Sequence, residues 1–210
     1  MSISDLAQSG LVARAKAVLM QPTAVWDVID TEPATVAGLY RGYVIPLAAI
    51  PAVCGFVGHL VFGLGAFSLG FRISPIWFAM NAILSYAMSL AMVYIMALVI
   101  EGLAPTFGAQ KDRTQALKLA AYAPTASWVA GVFSLIPMLA IISLLGGLYT
   151  LYTLYRGLPK MMKAPADKAL PYFGVVLVVM IVIALVIGGI SGAVMTLGMG
   201  GGMLAGGRIG

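Results

Sequence analysis

Charged side chains are scarce in this sequence. Of its 210 residues, 9% are Asp, Glu, Lys or Arg and 61% are hydrophobic, whereas an ordinary soluble domain carries about 25% charged residues. The mean hydropathy is +1.03. These values exclude an ordinary soluble domain and favour a helical membrane protein, because only helices and closed barrels satisfy every backbone group in lipid. A barrel needs alternating polar and apolar positions, and the apolar runs here are continuous.

The sequence is also poor in residues that build catalytic and metal sites. Cys54 is the single cysteine, so an internal disulfide is excluded, and His59 is the single histidine. A lone histidine cannot form a zinc site without further nitrogen or thiolate ligands. No HExxH, GxSxG, phosphate-binding loop or paired carboxylate occurs. We therefore predict no catalytic residue, no metal site and no cofactor, and we expect that the protein is not an enzyme.

The longest informative stretch lies between Lys118 and Arg156, where no side chain is charged. As a single helix it would be about 55 Å long, far more than a hydrocarbon core of roughly 30 Å. Pro137 offers a turn midway, because proline lacks an N–H and disfavours helix at the residue before it. The stretch therefore predicts two antiparallel spans that return Lys118 and Arg156 to the same side of the membrane.

The same reasoning along the chain predicts an all-α bundle with five membrane spans. The predicted spans are 43–67, 74–103, 119–135, 137–156 and 172–195. Before the membrane domain, 41–197, we expect a cytoplasmic amphipathic segment, 1–40, and after it a glycine-rich outer tail, 198–210, which should form helix poorly. The uncharged run at 169–207 is long enough for two spans, so six spans are the alternative.

Lysine and arginine placement predicts the orientation of this bundle. With five spans, ten of these residues fall on one side, and Arg72 and Arg208 fall on the other. Because cytoplasmic loops carry the excess of cations, the N-terminus should be cytoplasmic and the C-terminus periplasmic, in a bacterial inner membrane. The net charge of +5 is spread over short loops and forms no binding stripe, so we expect no nucleic-acid partner.

The first 40 residues are the most polar part of the chain. Apolar positions recur at helical spacing between 11 and 19, with Arg14 and Lys16 on other faces, which predicts a short amphipathic helix on the cytoplasmic surface. Pro22 opens a second short helix that carries Trp26. Two interpretations of Trp26 stay open: a ring at the lipid headgroup level, and a packing residue inside the cytoplasmic segment.

Several motifs follow one another in a characteristic order. Pro22 and Trp26 precede the spans, Ala-Pro-Thr-Phe-Gly at 104–108 closes the second span, and Tyr122-Ala-Pro124 opens the third. Three tyrosines then lead into Arg-Gly-Leu-Pro-Lys at 156–160. In this order the motifs resemble the bacterial branch of the YIP family, the Ypt/Rab-interacting membrane proteins, over nearly the whole chain. The resemblance implies a helical membrane fold. It implies a role in vesicle traffic with small GTPases for eukaryotic members only, because bacteria have no Rab system.

Three polar side chains inside or beside the predicted spans are candidate functional residues: Glu101, His59 and Asn81. For Glu101, an ion pair at the membrane boundary with Arg41 or Lys118 and a proton or ion relay both stay open. His59 and Asn81 fall at similar depth in neighbouring spans. An interhelical hydrogen bond between them is one interpretation, and a pH switch at His59 is the other.

A group of cations on the predicted cytoplasmic face forms the candidate lipid-binding site. Its members are Lys160, Lys163, Lys168, Lys111 and Arg113. Each cation near an anionic leaflet contributes about 1 kcal/mol of attraction. The same cations also set the topology, so both roles stay open. The expected partners are membrane lipids, especially anionic ones, together with a second copy of the chain or other membrane proteins.

These observations predict a non-enzymatic inner-membrane protein that acts as a scaffold, organising the membrane or binding partners through its N-terminal segment and basic loops. The alternative is a transporter or channel for an ion, a small molecule or a lipid. Its polar path would run near Glu101, Asn81 and His59.

Overall fold

All the regular structure of the described residues is helical. The structure is a computed structural model that describes residues 10–62 and 75–206. Its helices are α1 (Leu11–Met20), α2 (Ala24–Thr31), α3 (Val36–Phe62), α4 (Pro75–Leu103), α5 (Arg113–Tyr122), α6 (Thr125–Ala130), α7 (Ala140–Met161) and α8 (Ala166–Gly206). The chain divides into two compact units, Met1–Phe173 and Gly174–Gly210. The contacts described below lie in the first unit.

Three helical stretches of the described residues are long and apolar enough to cross a membrane. They are Val36–Phe62, Phe78–Phe107 and Ala166–Gly189. The predicted all-helical class is therefore confirmed. The predicted count of five spans is not decided by helix length, because the third predicted span, 119–135, does not form one long helix, so that count stays a prediction.

The glycine-rich tail differs from the expectation that it would form helix poorly. Helix α8 continues to Gly206, and the last part of the predicted tail, 207–210, lies outside the described residues. The stretch contains no proline after Pro171 and no charged residue before Arg208. Because no proline interrupts this stretch, every residue in it can donate its backbone N–H to a helical hydrogen bond.

Prolines explain why the region around the predicted third span is broken. Helix α5 ends at Tyr122, and Pro124, which has no N–H to donate, separates it from α6. A 3-10 turn follows at Gly131–Leu135. Ile136, the residue before Pro137, then adopts an extended conformation, as residues before proline prefer.

Helices α6 and α7 form an antiparallel pair across this turn. The hydroxyls of Ser127 and Thr150 lie 2.8 Å apart. Closer to the turn, Ser143 Oγ donates to the Ala130 carbonyl over 3.1 Å. The contact nearer the turn joins residues that are closer in sequence, which is the pattern of a hairpin.

A wide turn near the start of α3 accommodates a proline. The segment Tyr40–Val44 is π-helical, and the Ile45 N–H donates to the Tyr40 carbonyl, five residues earlier. Pro46 follows immediately. In a regular α-helix its ring would press on the carbonyl of Gly42, four residues earlier, and a π turn relieves that contact.

Small residues let α3 approach the turn that precedes α7. A Cβ on Gly131 would lie 2.5 Å from Cβ of Pro51. One on Gly58 would collide with the Ser134 carbonyl oxygen. A side chain at either glycine would therefore force α3 away from this turn.

Adjacent glycines in α7 give a matched test of the α6–α7 contact. A Cβ on Gly146 would lie 2.5 Å from Ala130 Cβ and 2.8 Å from the Ala126 carbonyl oxygen, whereas one on Gly147 would meet nothing within 4 Å. We expect Gly146→Ala to destabilise the protein by about 1–3 kcal/mol, because the backbone must shift. Gly147→Ala should be neutral or stabilise by up to about 1 kcal/mol. Denaturation midpoints in detergent measure both, and equal midpoints for the two variants would contradict the packing.

Candidate functional site

The N-terminal helix pair, which we define as α1 and α2 together (residues 11–31), packs on α5 and α7. Its anchor residues Val25, Trp26 and Ile29 are completely buried. A short helix at this place was predicted, as an amphipathic element on the membrane surface. In the structure its apolar face is covered by other helices of the same chain.

Trp26 fills a space that exists because residue 157 is glycine. A Cβ on Gly157 would lie 2.6 Å from Trp26 Cε2 and 2.6 Å from Leu119 Cδ1. The indole Nε1 is buried without a hydrogen-bond partner among the described residues. Of the two interpretations of Trp26, the geometry therefore supports packing. The same contact links two of the sequence motifs, because the tryptophan after Pro22 packs against the glycine of Arg-Gly-Leu-Pro-Lys.

Cations at the end of α7 bind acids on α2. Lys160 Nζ donates to the Asp27 carboxylate over 2.6 Å and to the Thr23 carbonyl over 2.8 Å. Lys163, two residues after α7 ends, forms an ion pair with Asp30. Both side chains of the Lys160–Asp27 pair are partly exposed, so the pair itself contributes about 0–1 kcal/mol. These contacts therefore orient the helix pair more than they stabilise it.

The backbone at the end of α7 directs the Lys163 side chain toward Asp30. Lys163 has a φ of 51°, in the left-handed region where glycine is usual after a helix. The Ala164 N–H donates to the Pro159 carbonyl over 3.2 Å, which is the long hydrogen bond of a Schellman motif. A lysine tolerates the strained backbone here while its side chain pairs with Asp30.

Helix α5 holds the end of α2 with a buried lysine. Lys118 is 3% exposed, and its Nζ donates to the Ile29 carbonyl over 2.9 Å and to the Asp30 carbonyl over 3.3 Å. These are orphan acceptors at a helix C-terminus, where positive charge is favourable. Burial lowers the pKa of Lys118 below its usual value, and nearby carboxylates, Asp30 first, partly oppose the shift.

Arg14 is the clearest error of the sequence interpretation. It was expected on a face of α1 other than the apolar one, yet it is 6% exposed and donates from Nη2 to Glu32 Oε1 over 2.7 Å. Its guanidinium lies 5.9 Å from the centre of the Tyr122 ring. Because a salt-bridged arginine can be buried, helical spacing alone could not assign its face.

Glu101 forms an ion pair, with a different partner from those proposed. Arg113 Nε donates to Glu101 Oε2 over 2.8 Å, and this contact raises the pKa of Arg113. Arg41 and Lys118, the expected partners, are not the residues in contact. The pair joins the end of α4 to the start of α5, which is a structural role; a proton or ion relay at Glu101 stays an untested prediction.

His59 and Asn81 line one small cavity of about 200 Å³, together with Pro51 and Ser85. His59 Nδ1 donates to the Gly55 carbonyl over 2.6 Å. The predicted hydrogen bond to Asn81 is therefore not the one that Nδ1 forms. Among the described residues, no three His, Cys, Asp or Glu side chains could together hold a metal ion.

The five candidate lipid-binding cations fall into two groups. Lys160, Lys163 and Arg113 are engaged by acids of this chain. Lys111 and Lys168 are exposed, and within residues 10–62 and 75–206 no acid forms an ion pair with either. Lipid binding stays a prediction for all five, and the latter two are the freest to contact a membrane.

The acids of α2 and the buried cations Lys118 and Arg14 were not identified as site residues from the sequence. One signal was present: Asp27 and Asp30 are three residues apart, as are Lys160 and Lys163. Side chains three apart share a helix face, so two helices carrying these patterns could pair. No comparable signal points to Lys118, whose acceptors are backbone carbonyls.

Three apolar helical stretches of membrane-crossing length define the class as a helical membrane protein. The Yip1 domain model matches residues 16–188, and the chain belongs to this family. The resemblance found in the motifs is thereby confirmed. Its relatives include the inner membrane protein YohC of Escherichia coli strain K12 and of Escherichia coli O6:H1 strain CFT073. Each is 28% identical over 156 residues, covering 72% of this chain and 80% of the relative. No solved structure gives a significant match.

Trp26 allows a direct test of the docking. We expect Trp26→Ala to release the N-terminal helix pair, because emptying a large buried site costs about 3–5 kcal/mol. Trp26→Phe should be much milder, since the indole Nε1 has no hydrogen bond to lose within the described part of the chain. Limited proteolysis in nanodiscs, followed by mass spectrometry, measures cleavage between residues 11 and 31. Equal protection of wild type and Trp26→Ala would contradict the role given to this side chain.

Proposed function

We propose that the chain is a non-enzymatic, multi-pass protein of the bacterial inner membrane whose N-terminal helix pair serves as a rigid contact surface for a partner. The observation that carries this proposal is the docking of the pair on α5 and α7 through Trp26 and Lys118. A segment of this kind is pre-organised, so a partner binds it without the entropic cost of ordering a flexible tail.

The exposed side of α1 is the part of this surface best suited to a partner. Val12 and Met20 are 78% and 71% exposed, and Lys16, also exposed, lies between them. Residues spaced by four lie on one helix face. The face therefore combines two apolar side chains with a central cation, a pattern that suits an amphipathic partner surface with an acidic group.

Partner capture tests this role. The full chain would be crosslinked in cells and purified in native-lipid nanodiscs, and the attached proteins identified by mass spectrometry. We expect a stoichiometric partner to be lost from the double variant Val12→Ser/Met20→Ser, which removes the apolar contacts of the face. Met138→Ser is the matched control, because Met138 is 87% exposed and lies outside the helix pair. Partner retention by the double variant, or equal loss in the control, would refute the role of this face.

The proposed topology has five spans, with the N-terminus in the cytoplasm and the C-terminus in the periplasm. In addition to the three apolar stretches, the segment 119–135, which contains α6, and helix α7 would cross the membrane as a hairpin. The uncharged sequence between Lys118 and Arg156 supports this, as do the hydroxyl contacts that join the two helices. Lysines and arginines are in excess at the end of the hairpin opposite the Pro137 turn. This excess supports a cytoplasmic position for that end.

Single-cysteine labelling tests the topology on a Cys54→Ser background. A maleimide reagent that cannot cross membranes should label Met138→Cys from the periplasm of intact cells. It should label Lys168→Cys only after the inner membrane is permeabilised. If α6 and α7 do not cross, both positions will react from the same side. A third position, Ile209→Cys, separates five spans from six, because it should be periplasmic only in the five-span arrangement.

The scaffold role is favoured over a transport path by the positions of the polar candidates. Asn81 and Glu101 are twenty residues apart on α4, or about 30 Å along the helix. Glu101 is engaged by Arg113, and His59 by a backbone carbonyl. No observation on the described residues favours a transporter.

A further inference from the structure

A cavity of about 440 Å³ lies between the N-terminal helix pair, the start of α3 and α5. Its volume falls in the range of small-molecule sites, roughly 300–1,000 Å³. It does not involve Glu101, His59 or Asn81. All of its lining belongs to the first compact unit of the chain.

Two buried cations from different helices line this cavity. Arg14 comes from α1 and Lys118 from α5, and they are 6% and 3% exposed. Glu32 also lines the cavity, and it is the single acid among its lining residues. The lining side chains therefore carry a net positive charge.

These cations keep donor capacity that the protein does not use. Arg14 Nη1 is buried without a hydrogen-bond partner among the described residues, while Nη2 is occupied by Glu32. Lys118 has three N–H groups, and two carbonyls accept from it. A buried charged donor without an acceptor is unfavourable. Rotation of the Arg14 guanidinium toward the cavity would let an oxyanion there supply the missing acceptor.

The N-terminus of α3 opens on the same cavity. Thr35 and Gly38 are among its lining residues, and the Thr35 hydroxyl caps the helix by accepting from the Gly38 N–H over 3.1 Å. A helix N-terminus carries partial positive charge and orphan N–H groups, which favour phosphate and other anions. The cavity is thus lined by two cationic side chains and by residues at the N-terminal end of α3.

We propose that this cavity binds a phosphate-bearing anion, held by Arg14 and Lys118 at the N-terminus of α3. A phosphate fits because arginine, lysine and helix N-termini are its usual ligands in proteins. The cavity lies where the apolar stretch Val36–Phe62 begins, the depth at which lipid headgroups carry their phosphates. The anion is therefore either a phospholipid headgroup or a soluble phosphate. This inference does not depend on the scaffold role, because it needs no protein partner.

Two measurements on the full-length protein test the site and separate the two sources. Isothermal titration calorimetry in lipid-free detergent, with inorganic phosphate as the probe, measures soluble anion binding. Native mass spectrometry after release from phosphatidylglycerol nanodiscs measures retained lipid. One tightly retained lipid assigns the site to a headgroup. Saturable phosphate binding without a retained lipid assigns it to a soluble ligand, and either result supports the proposal.

Variants show whether the bound anion lies in this cavity. Arg14→Gln and Lys118→Met should each weaken binding about tenfold or more, the usual effect of losing a hydrogen bond from a charged group. Arg41→Gln removes a positive charge from an exposed position that does not line the cavity and should leave binding unchanged.

Two further variants keep the test valid if the charge variants fold poorly. A Cβ on Gly42, a lining residue, meets nothing within 4 Å, so Gly42→Leu should fill the cavity and abolish binding while both cations remain. Glu32→Gln removes the competing carboxylate and should tighten phosphate binding severalfold, which unfolding cannot mimic. The proposal is overturned if neither anion is bound, if Gly42→Leu binds normally, or if folded Glu32→Gln binds no tighter than wild type.

Discussion

The contact between Trp26 and residue 157 is the constraint on which the first part of the structure depends. A side chain at position 157 would occupy the space of the indole and of Leu119. With glycine there, α2 approaches α7 closely enough for Lys160 and Lys163 to reach its acids. The exposed ion pairs contribute little stability by themselves. Their role is to fix the orientation of a helix pair that is held by burial.

Positive charge has three uses in this chain. Lys160 and Lys163 bind the N-terminal helix pair through partly exposed ion pairs. Lys118, which is buried, binds it by donating to backbone carbonyls at the end of α2. Arg14 and Lys118 also give one cavity its positive charge. An excess of cations on one side of a membrane protein is usually interpreted as topology alone. Here the same residues build a folded domain, so the orientation signal and the tertiary structure share side chains.

The sequence allowed the fold class to be predicted, and it located the reversal at Pro137. Those features depend on local properties: apolar runs, uncharged length and proline chemistry. The predicted helix at 11–19 was present, but Arg14 was assigned to the wrong face because its partner, Glu32, lies on another element. Glu101 was expected to form an ion pair, and the partner differed for the same reason. The partners of Lys118 are backbone carbonyls, and these cannot be identified from residue types.

The central claim is that the N-terminal helix pair is a fixed part of the membrane domain rather than a separate surface helix. The most direct test is the distance distribution between spin labels at Lys16→Cys and Lys111→Cys, measured by pulsed electron resonance in nanodiscs on a Cys54→Ser background. Both positions are exposed and belong to the first unit, with Lys16 on α1 and Lys111 two residues before α5 begins. The account predicts one narrow distance that broadens in Trp26→Ala. A broad distribution in the wild type, unchanged by that substitution, would contradict it.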